Sequence, residues 1–182
     1  MKYDKDKLCE STENIKKLFE SNPLPSWDEL PVLELYMDQV IILLKQYLKI
    51  FSAGADEDKF ITPPMINNYV KLKIMPAPIK KKYGRMHMAY LIIICSLKQT
   101  LSMSTIQKII PVELSENEIK EIYNAFTANL ESAIKSTHKQ IRSVTGLIDV
   151  KSFDDTEKIN DLVMRAAISS NLTKLLAEMI VD

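Results

Sequence analysis

The residues best suited to do chemistry lie in one basic segment, residues 59–112. This segment carries a net charge of +9 and contains no aspartate or glutamate, whereas residues 1–58 carry −5 and residues 113–182 carry −4. Charged residues make up 26% of the chain, so 54 consecutive positions without a carboxylate are not expected by chance. The cations are Lys59, Lys71, Lys73, Lys80, Lys81, Lys82, Arg85, Lys98 and Lys108. Such segregation indicates a surface that binds a polyanion such as nucleic acid.

Residue types within this segment match groups on duplex DNA. Asn67 and Lys71 are four residues apart and therefore share one side of a predicted helix, next to Asn68. Asparagine can pair with adenine through two hydrogen bonds, and lysine can reach guanine or a phosphate. A basic loop and the start of the next helix follow, and both could hold phosphates. The candidate DNA-contacting residues are Thr62, Asn67, Asn68, Lys71, Lys73, Lys80, Lys81, Lys82, Tyr83, Arg85 and His87.

A plainer interpretation exists for each candidate. Asparagines and lysines also form ordinary hydrated surfaces. His87 on its own fits a residue that simply begins a helix, and Tyr83, like Tyr69, fits a packing residue.

Catalytic groups are scarce in this sequence. The two histidines, His87 and His138, stand apart without metal-ligand spacing, and Cys9 and Cys95 are too distant to suggest a zinc site or a disulfide framework. No glycine-rich phosphate loop and no nucleophile elbow occurs. We therefore expect a protein that is not an enzyme and that holds no metal or cofactor.

The elements that position these residues are expected to be helices. Only three glycines occur in 182 residues, which disfavours a fold of many tight turns. Residues 84–100 are apolar on nearly all sides and are predicted to form the central helix, with a buried strand over residues 92–94 as the weaker alternative. The other predicted helices are residues 32–51, 63–72, 102–110, 115–146 and 155–181. The sequence thus predicts an all-α protein with a helix-turn-helix core and a C-terminal helical hairpin.

Three regions follow from this pattern. Residues 1–31 are predicted to be an N-terminal arm and a proline-rich connector anchored by Trp27, residues 32–112 the helix-turn-helix region, and residues 113–182 a C-terminal helical pair for dimerisation or effector binding. The first ten residues lack the apolar stretch of a secretory signal. The longest apolar run has eight residues, far short of the roughly 20 that span a bilayer. We therefore expect a cytoplasmic protein that makes no membrane contact.

Part of the basic segment is similar to a known family. Residues 65–76, Met-Ile-Asn-Asn-Tyr-Val-Lys-Leu-Lys-Ile-Met-Pro, resemble the recognition-helix segment of mercury-resistance-type (MerR-like) transcription regulators. Residues 81–83 are similar to the Arg-Arg-Tyr of their wing, and residues 102–106 to the start of their next helix. Asn67 and Asn68 replace an arginine and a tyrosine of that family, and Lys73 replaces a glycine. The chain as a whole resembles an uncharacterised bacterial family known only as a domain of unknown function.

The MerR-like resemblance implies a DNA-binding transcriptional regulator. Such regulators work as homodimers, so two recognition helices would meet half-sites of double-stranded DNA about 34 Å apart. One alternative is a protein-interaction module in which the lysines of residues 80–82 meet an acidic partner. Another is a sensor that binds a small-molecule effector near Met164 and Met179, although these methionines also fit a filled core.

Overall fold

The computed structural model describes residue 17 and residues 24–52, 57–145 and 156–181. Regular structure within these residues is helical, with two isolated β-bridges and no longer strand, so the all-α prediction is confirmed for this part. A short 3-10 helix, Trp27–Glu29, comes first. The α-helices that follow are α1 (Met37–Tyr47), α2 (Lys49–Ser52), α3 (Glu57–Phe60), α4 (Pro63–Lys71), α5 (Arg85–Leu97), α6 (Met103–Ile109), α7 (Glu116–Thr145) and α8 (Thr156–Val181).

Helix α5 forms the centre of the fold. All of its residues from His87 to Ser96 are buried, and it packs against α1 and α7. A helix that is apolar on nearly every side is expected in the interior of a protein, which is where α5 lies. The run of isoleucines at 92–94 lies within this helix, so the prediction of a helix rather than a strand is confirmed.

The connector before α1 is fastened to α7. The Trp27 ring is buried and meets the Tyr123 ring edge-on, with centroids 6.1 Å apart, and the Tyr123 hydroxyl donates to the Pro25 carbonyl at 2.7 Å. The Glu29 carboxylate accepts the backbone N–H of Ser26 at 2.7 Å, which forms a capping box at the start of the 3-10 helix. The anchoring role predicted for Trp27 is therefore confirmed.

Helix starts follow the capping residues in most cases. Ser102 accepts the backbone N–H of Thr105 at 3.1 Å at the start of α6, and Ser115 with Glu118 forms a capping box at the start of α7. Thr62 occupies the position before α4, but its side chain makes no capping hydrogen bond. There the prolines at the first two helical positions, Pro63 and Pro64, favour the helix because they carry no N–H that needs a partner.

The helix predicted over residues 32–51 is shorter than expected. Leu35 pairs with Tyr83 through two backbone hydrogen bonds of 2.9 and 2.8 Å, which holds the preceding residues extended. The Gln39 side chain then accepts the backbone N–H of Tyr36 at 2.9 Å, so α1 starts at Met37. Leu33, which falls within the predicted helix, lies before α1 and is 79% exposed.

The C-terminal helices differ most from the prediction. Helix α8 packs mainly against α6, where Lys108 donates to the Val181 carbonyl at 3.3 Å, and no comparable contact with α7 occurs in the described residues. Met164 and Met179 are exposed and fill no core. Eight large apolar side chains of α8 are 53–74% exposed, namely Val163, Met164, Ile168, Leu172, Leu175, Leu176, Met179 and Ile180. Within the predicted N-terminal arm and connector, residues 1–23 apart from Lys17 lie outside the described residues, as does Gly146 at the predicted end of the helix over residues 115–146.

Candidate nucleic-acid interface

Helix α4 presents its polar residues to solvent. Ile66 and Tyr69 are buried against the core, while Asn67, Asn68 and Lys71 are exposed. Burial raises the pKa of the Tyr69 hydroxyl, and the neighbouring buried thiol of Cys95 on α5 adds to that shift. The outward direction predicted for Asn67, Asn68 and Lys71 is confirmed.

The end of α4 is closed by a backbone motif that normally uses glycine. The Ile74 N–H donates to the Tyr69 carbonyl at 2.9 Å and the Lys73 N–H to the Val70 carbonyl at 3.0 Å. Together these two bonds make a Schellman motif, whose closing residue adopts a left-handed conformation. Here that residue is Lys73, with φ of 54°, and its carbonyl accepts a hydrogen bond from the Gln107 side chain at 3.0 Å.

Residues 79–82 form a tight two-residue turn that we call the lysine hairpin. Ile79 and Lys82 exchange backbone hydrogen bonds of 3.1 and 2.9 Å. Between them Lys80 and Lys81 have φ of 49° and 64°. Positive φ at both central positions defines a type I′ turn, for which Asn-Gly is the preferred sequence. The segment predicted to be a basic loop is therefore a defined turn.

All the non-glycine residues with positive φ in the described part of the chain are lysines: Lys73, Lys80 and Lys81. We call them the strained lysines. A left-handed conformation costs an L-residue about 1–2 kcal/mol, a cost that glycine avoids and asparagine reduces. Each site thus has a lysine at a position where an uncharged residue would fold better.

His87 and Tyr83 support the hairpin from inside the core. Tyr83 is 3% exposed and His87 9%, so neither side chain is available to a ligand on the surface. We therefore remove both residues from the candidate DNA contacts. The His87 Nδ1 accepts the Gly84 N–H at 3.0 Å, and Nε2 then donates to the Ala77 carbonyl at 3.2 Å. Burial lowers the pKa of His87, while the bond to Ala77 and the charge of Glu34 oppose that shift.

Several cations of the basic segment are engaged in contacts within the fold. Lys82 lies 3.6 Å from the Glu34 carboxylate, and Arg85 lies over the Trp27 ring at 5.8 Å. Lys98 donates to the Phe60 carbonyl at 2.6 Å and sits over the same residue's ring. Lys108 likewise donates to a carbonyl at the end of α8. The side chains of Lys82, Arg85, Lys98 and Lys108 therefore hold elements of the fold together.

Four cations remain exposed with no carboxylate partner in the described part of the chain. They form two exposed lysine pairs, Lys71 with Lys73 at the end of α4 and Lys80 with Lys81 at the hairpin tip. Thr62 is half-buried at the start of α4, and Lys82 and Arg85 are only partly accessible. Sequence reasoning identified the lysines but missed their backbone conformation, since Lys-Lys is not a turn-forming dipeptide.

Two open clefts lie beside these lysines. One of about 290 Å³ runs along the base of the hairpin between Val32, Ile79, Lys82 and Arg85. The other, of about 590 Å³, separates the end of α4 from α6. No group of histidine, cysteine or acidic side chains among the described residues could hold a metal ion, and no helix there has the length and apolarity needed to cross a membrane.

Comparison with known proteins gives one match. No curated protein and no solved structure matches the chain. One family model matches residues 25–126, which is more than half of the chain and runs from the connector through α4, the hairpin and α5 into α7, leaving α8 outside. The chain therefore belongs to the family described as Domain of unknown function (DUF1836).

Proposed function

We propose that this protein is a DNA-binding transcriptional regulator that contacts duplex DNA through α4 and the lysine hairpin, in an arrangement of the MerR-like winged helix-turn-helix type. The observation that carries the proposal is the set of strained lysines. Three backbone positions that favour glycine or asparagine carry lysine instead, at the end of α4 and at the hairpin tip.

Lysine at a strained backbone position needs a compensating benefit, because the protein would be more stable with glycine or asparagine there. The lysine side chain adds a positive charge that neither of those residues has. Its exposure at all three sites places the charge in solvent, where it forms no internal ion pair in the described residues. We propose that the compensating benefit is contact with DNA phosphates, because each neutralised phosphate releases condensed counterions and so strengthens DNA binding.

The shape of α4 also supports the proposal. Its nine residues make a helix about 14 Å long, which suits insertion into the major groove of B-DNA. The hairpin follows α4 along the chain after a short connection, in the place where the resemblance puts a wing. Lysines at the hairpin tip would then hold phosphates while α4 meets base edges.

We further propose that the DNA-bound form is a homodimer joined through α8. Eight large apolar side chains of α8 are more than half exposed, and most of them recur at the spacing of one side of the helix, as expected for a surface that another protein covers. A stable interface needs roughly 800 Å² from each partner. A second copy is the occupant we favour because α8 carries three acidic and three basic residues, so two copies of this helix bring no net charge together.

The test of DNA binding replaces the hairpin tip by the preferred turn sequence, Lys80→Asn with Lys81→Gly. We expect the double variant to be more stable than the wild type by about 1–2 kcal/mol, because the strain is relieved. We also expect it to bind a random duplex pool on the order of tenfold more weakly at low salt, because two phosphate contacts are lost. Fluorescence anisotropy measures the affinity and urea unfolding the stability.

The stability readout makes this test independent of folding. Weaker binding by a more stable protein cannot come from unfolding, and Lys139→Glu, which changes an exposed lysine of α7, controls for overall charge. Unchanged affinity in the hairpin variant, or no binding of any duplex by the wild type, would overturn the proposal.

A second candidate function has one observation in its favour. Ile79 of the hairpin is large and exposed, as are Val32 and Leu33, and Val32 and Ile79 line one cleft with Lys82. This mixture of apolar and basic groups suits an acidic protein partner, as in an interaction module built on the same scaffold. Val32→Ser with Ile79→Ser separates the two functions, since it should abolish protein capture and leave DNA affinity unchanged.

A further inference from the structure

The exposed face of α4 has a chemical composition that points to particular base pairs. Pro64, Asn67, Asn68, Lys71 and Leu72 recur at the spacing of one helix face, and all five are exposed, Leu72 by 49%. The two asparagine side chains make no hydrogen bond within the part of the chain that the structure describes. Both carboxamides are therefore available to a ligand.

Each of these side chains can be compared with the groups on a base edge in the major groove. A carboxamide offers one donor and one acceptor, which matches the N7 acceptor and the N6 amino donor of adenine. Apolar side chains such as Leu72 and Pro64 can contact the C5 methyl group of thymine. Arginine, the side chain that most often recognises guanine, is absent from this face, and Lys71 is its only cation.

We propose that α4 recognises A·T base pairs in the major groove, with Asn67 and Asn68 bound to adenines and Leu72 against a thymine methyl group. This inference rests on the proposed function and names the base class that it recognises. The lysine hairpin, which carries charge but no base-specific group, adds affinity without sequence preference.

The test compares duplexes of equal length and charge that differ only in their bases. We expect the wild-type protein to bind an A·T-rich duplex at least tenfold more tightly than a G·C-rich one. Replacing adenine by 7-deazaadenine removes the N7 acceptor, and replacing thymine by uracil removes the methyl group. Each replacement should weaken binding to the A·T-rich duplex severalfold.

Variants test whether the preference for A·T base pairs comes from α4. Asn67→Ala with Asn68→Ala should bind both duplexes with nearly the affinity that the wild type shows for G·C-rich DNA. Asn129→Ala on α7, an exposed asparagine far along the chain, should behave as the wild type. Circular dichroism checks that the double variant folds, which is expected because both side chains are in solvent.

The outcomes separate this inference from the proposed function. Equal binding of both duplexes by the wild type overturns the inference and leaves DNA binding intact. An A·T preference that survives the asparagine variant or the 7-deazaadenine replacement also overturns it, because the preference would then come from groove shape. Failure to bind either duplex overturns both.

Discussion

At the residue scale, His87 shows how one buried side chain shapes the surface around it. It joins the Ala77 carbonyl, before the hairpin, to the Gly84 N–H, after the hairpin, and so closes the base of that loop. The bond from Gly84 requires a neutral ring, because a protonated Nδ1 would face the Gly84 N–H as a second donor, whereas the bond to Ala77 persists when the ring is protonated. Burial lowers the pKa of His87 and so favours the neutral ring that accepts the Gly84 N–H.

We expect this bond pair to make the stability of the protein depend on pH. The pKa of His87 is lower in the folded state than its ordinary value of about 6.5, so the unfolded chain binds the proton first. The contribution of His87 is then complete above about pH 6.5 and declines as the pH falls toward the lower, folded pKa. The slope cannot exceed about 1.4 kcal/mol per pH unit for one proton.

Urea unfolding from pH 8 to pH 5 measures this dependence. His87→Gln should lower stability at pH 8 and flatten the decline between pH 6.5 and 5. Glu29 and Glu118 do not interfere, because hydrogen bonds from Ser26 and Ser115 lower their pKa values and place their effect below about pH 4.5. An equal decline in the variant and the wild type would contradict the role of His87.

At the scale of elements, local sequence predicts which segments are helical, whereas hydrogen bonds between distant residues determine where a helix such as α1 begins. The helix starts at Ser102 and Ser115 can be predicted because a capping side chain bonds to the backbone three residues later, within the same short stretch of sequence. The start of α1 was misplaced because Leu35 pairs with Tyr83, a partner nearly fifty residues away. The lysine hairpin was missed for a related reason, since the turn is held by surrounding structure and not by its own residues.

The closure of α4 yields a prediction with an internal control. Lys73→Gly should raise the free energy of unfolding by about 1 kcal/mol, because Lys73 adopts the left-handed conformation that glycine tolerates. Lys71→Gly, two residues earlier, should lower it by up to about 1 kcal/mol, because that position is helical. Both variants remove one exposed cation, so their charge effects match. Changes of the same sign in urea unfolding would contradict the account of strain.

At the scale of the whole molecule, the parts that we propose to meet DNA and the part that we propose to join two copies lie in different regions of the chain. The two exposed lysine pairs fall within the residues matched by the family, whereas α8 falls outside them. Sequence composition also places a boundary before α7, because the acid-free segment ends at residue 112. It did not predict that α8 would lie against α6 with its apolar face uncovered, since apolar periodicity does not specify which neighbour a helix meets.

Salt dependence should report how many lysine pairs bind at once. If each copy neutralises four phosphates through Lys71, Lys73, Lys80 and Lys81, the log–log slope of affinity against salt is about −4 for one copy and about −7 for two.

Leu172→Glu with Leu175→Glu places charges on the exposed face of α8 and should convert the dimer to a monomer with the smaller slope. Ser170→Glu, on another side of the same helix, should leave both properties unchanged. Sedimentation velocity gives the oligomeric state, and anisotropy between roughly 50 and 200 mM salt gives the slope. A wild-type complex with DNA that sediments with one copy of the protein per duplex would reject the dimer, while a slope of about −4 would still be consistent with DNA binding by a single copy.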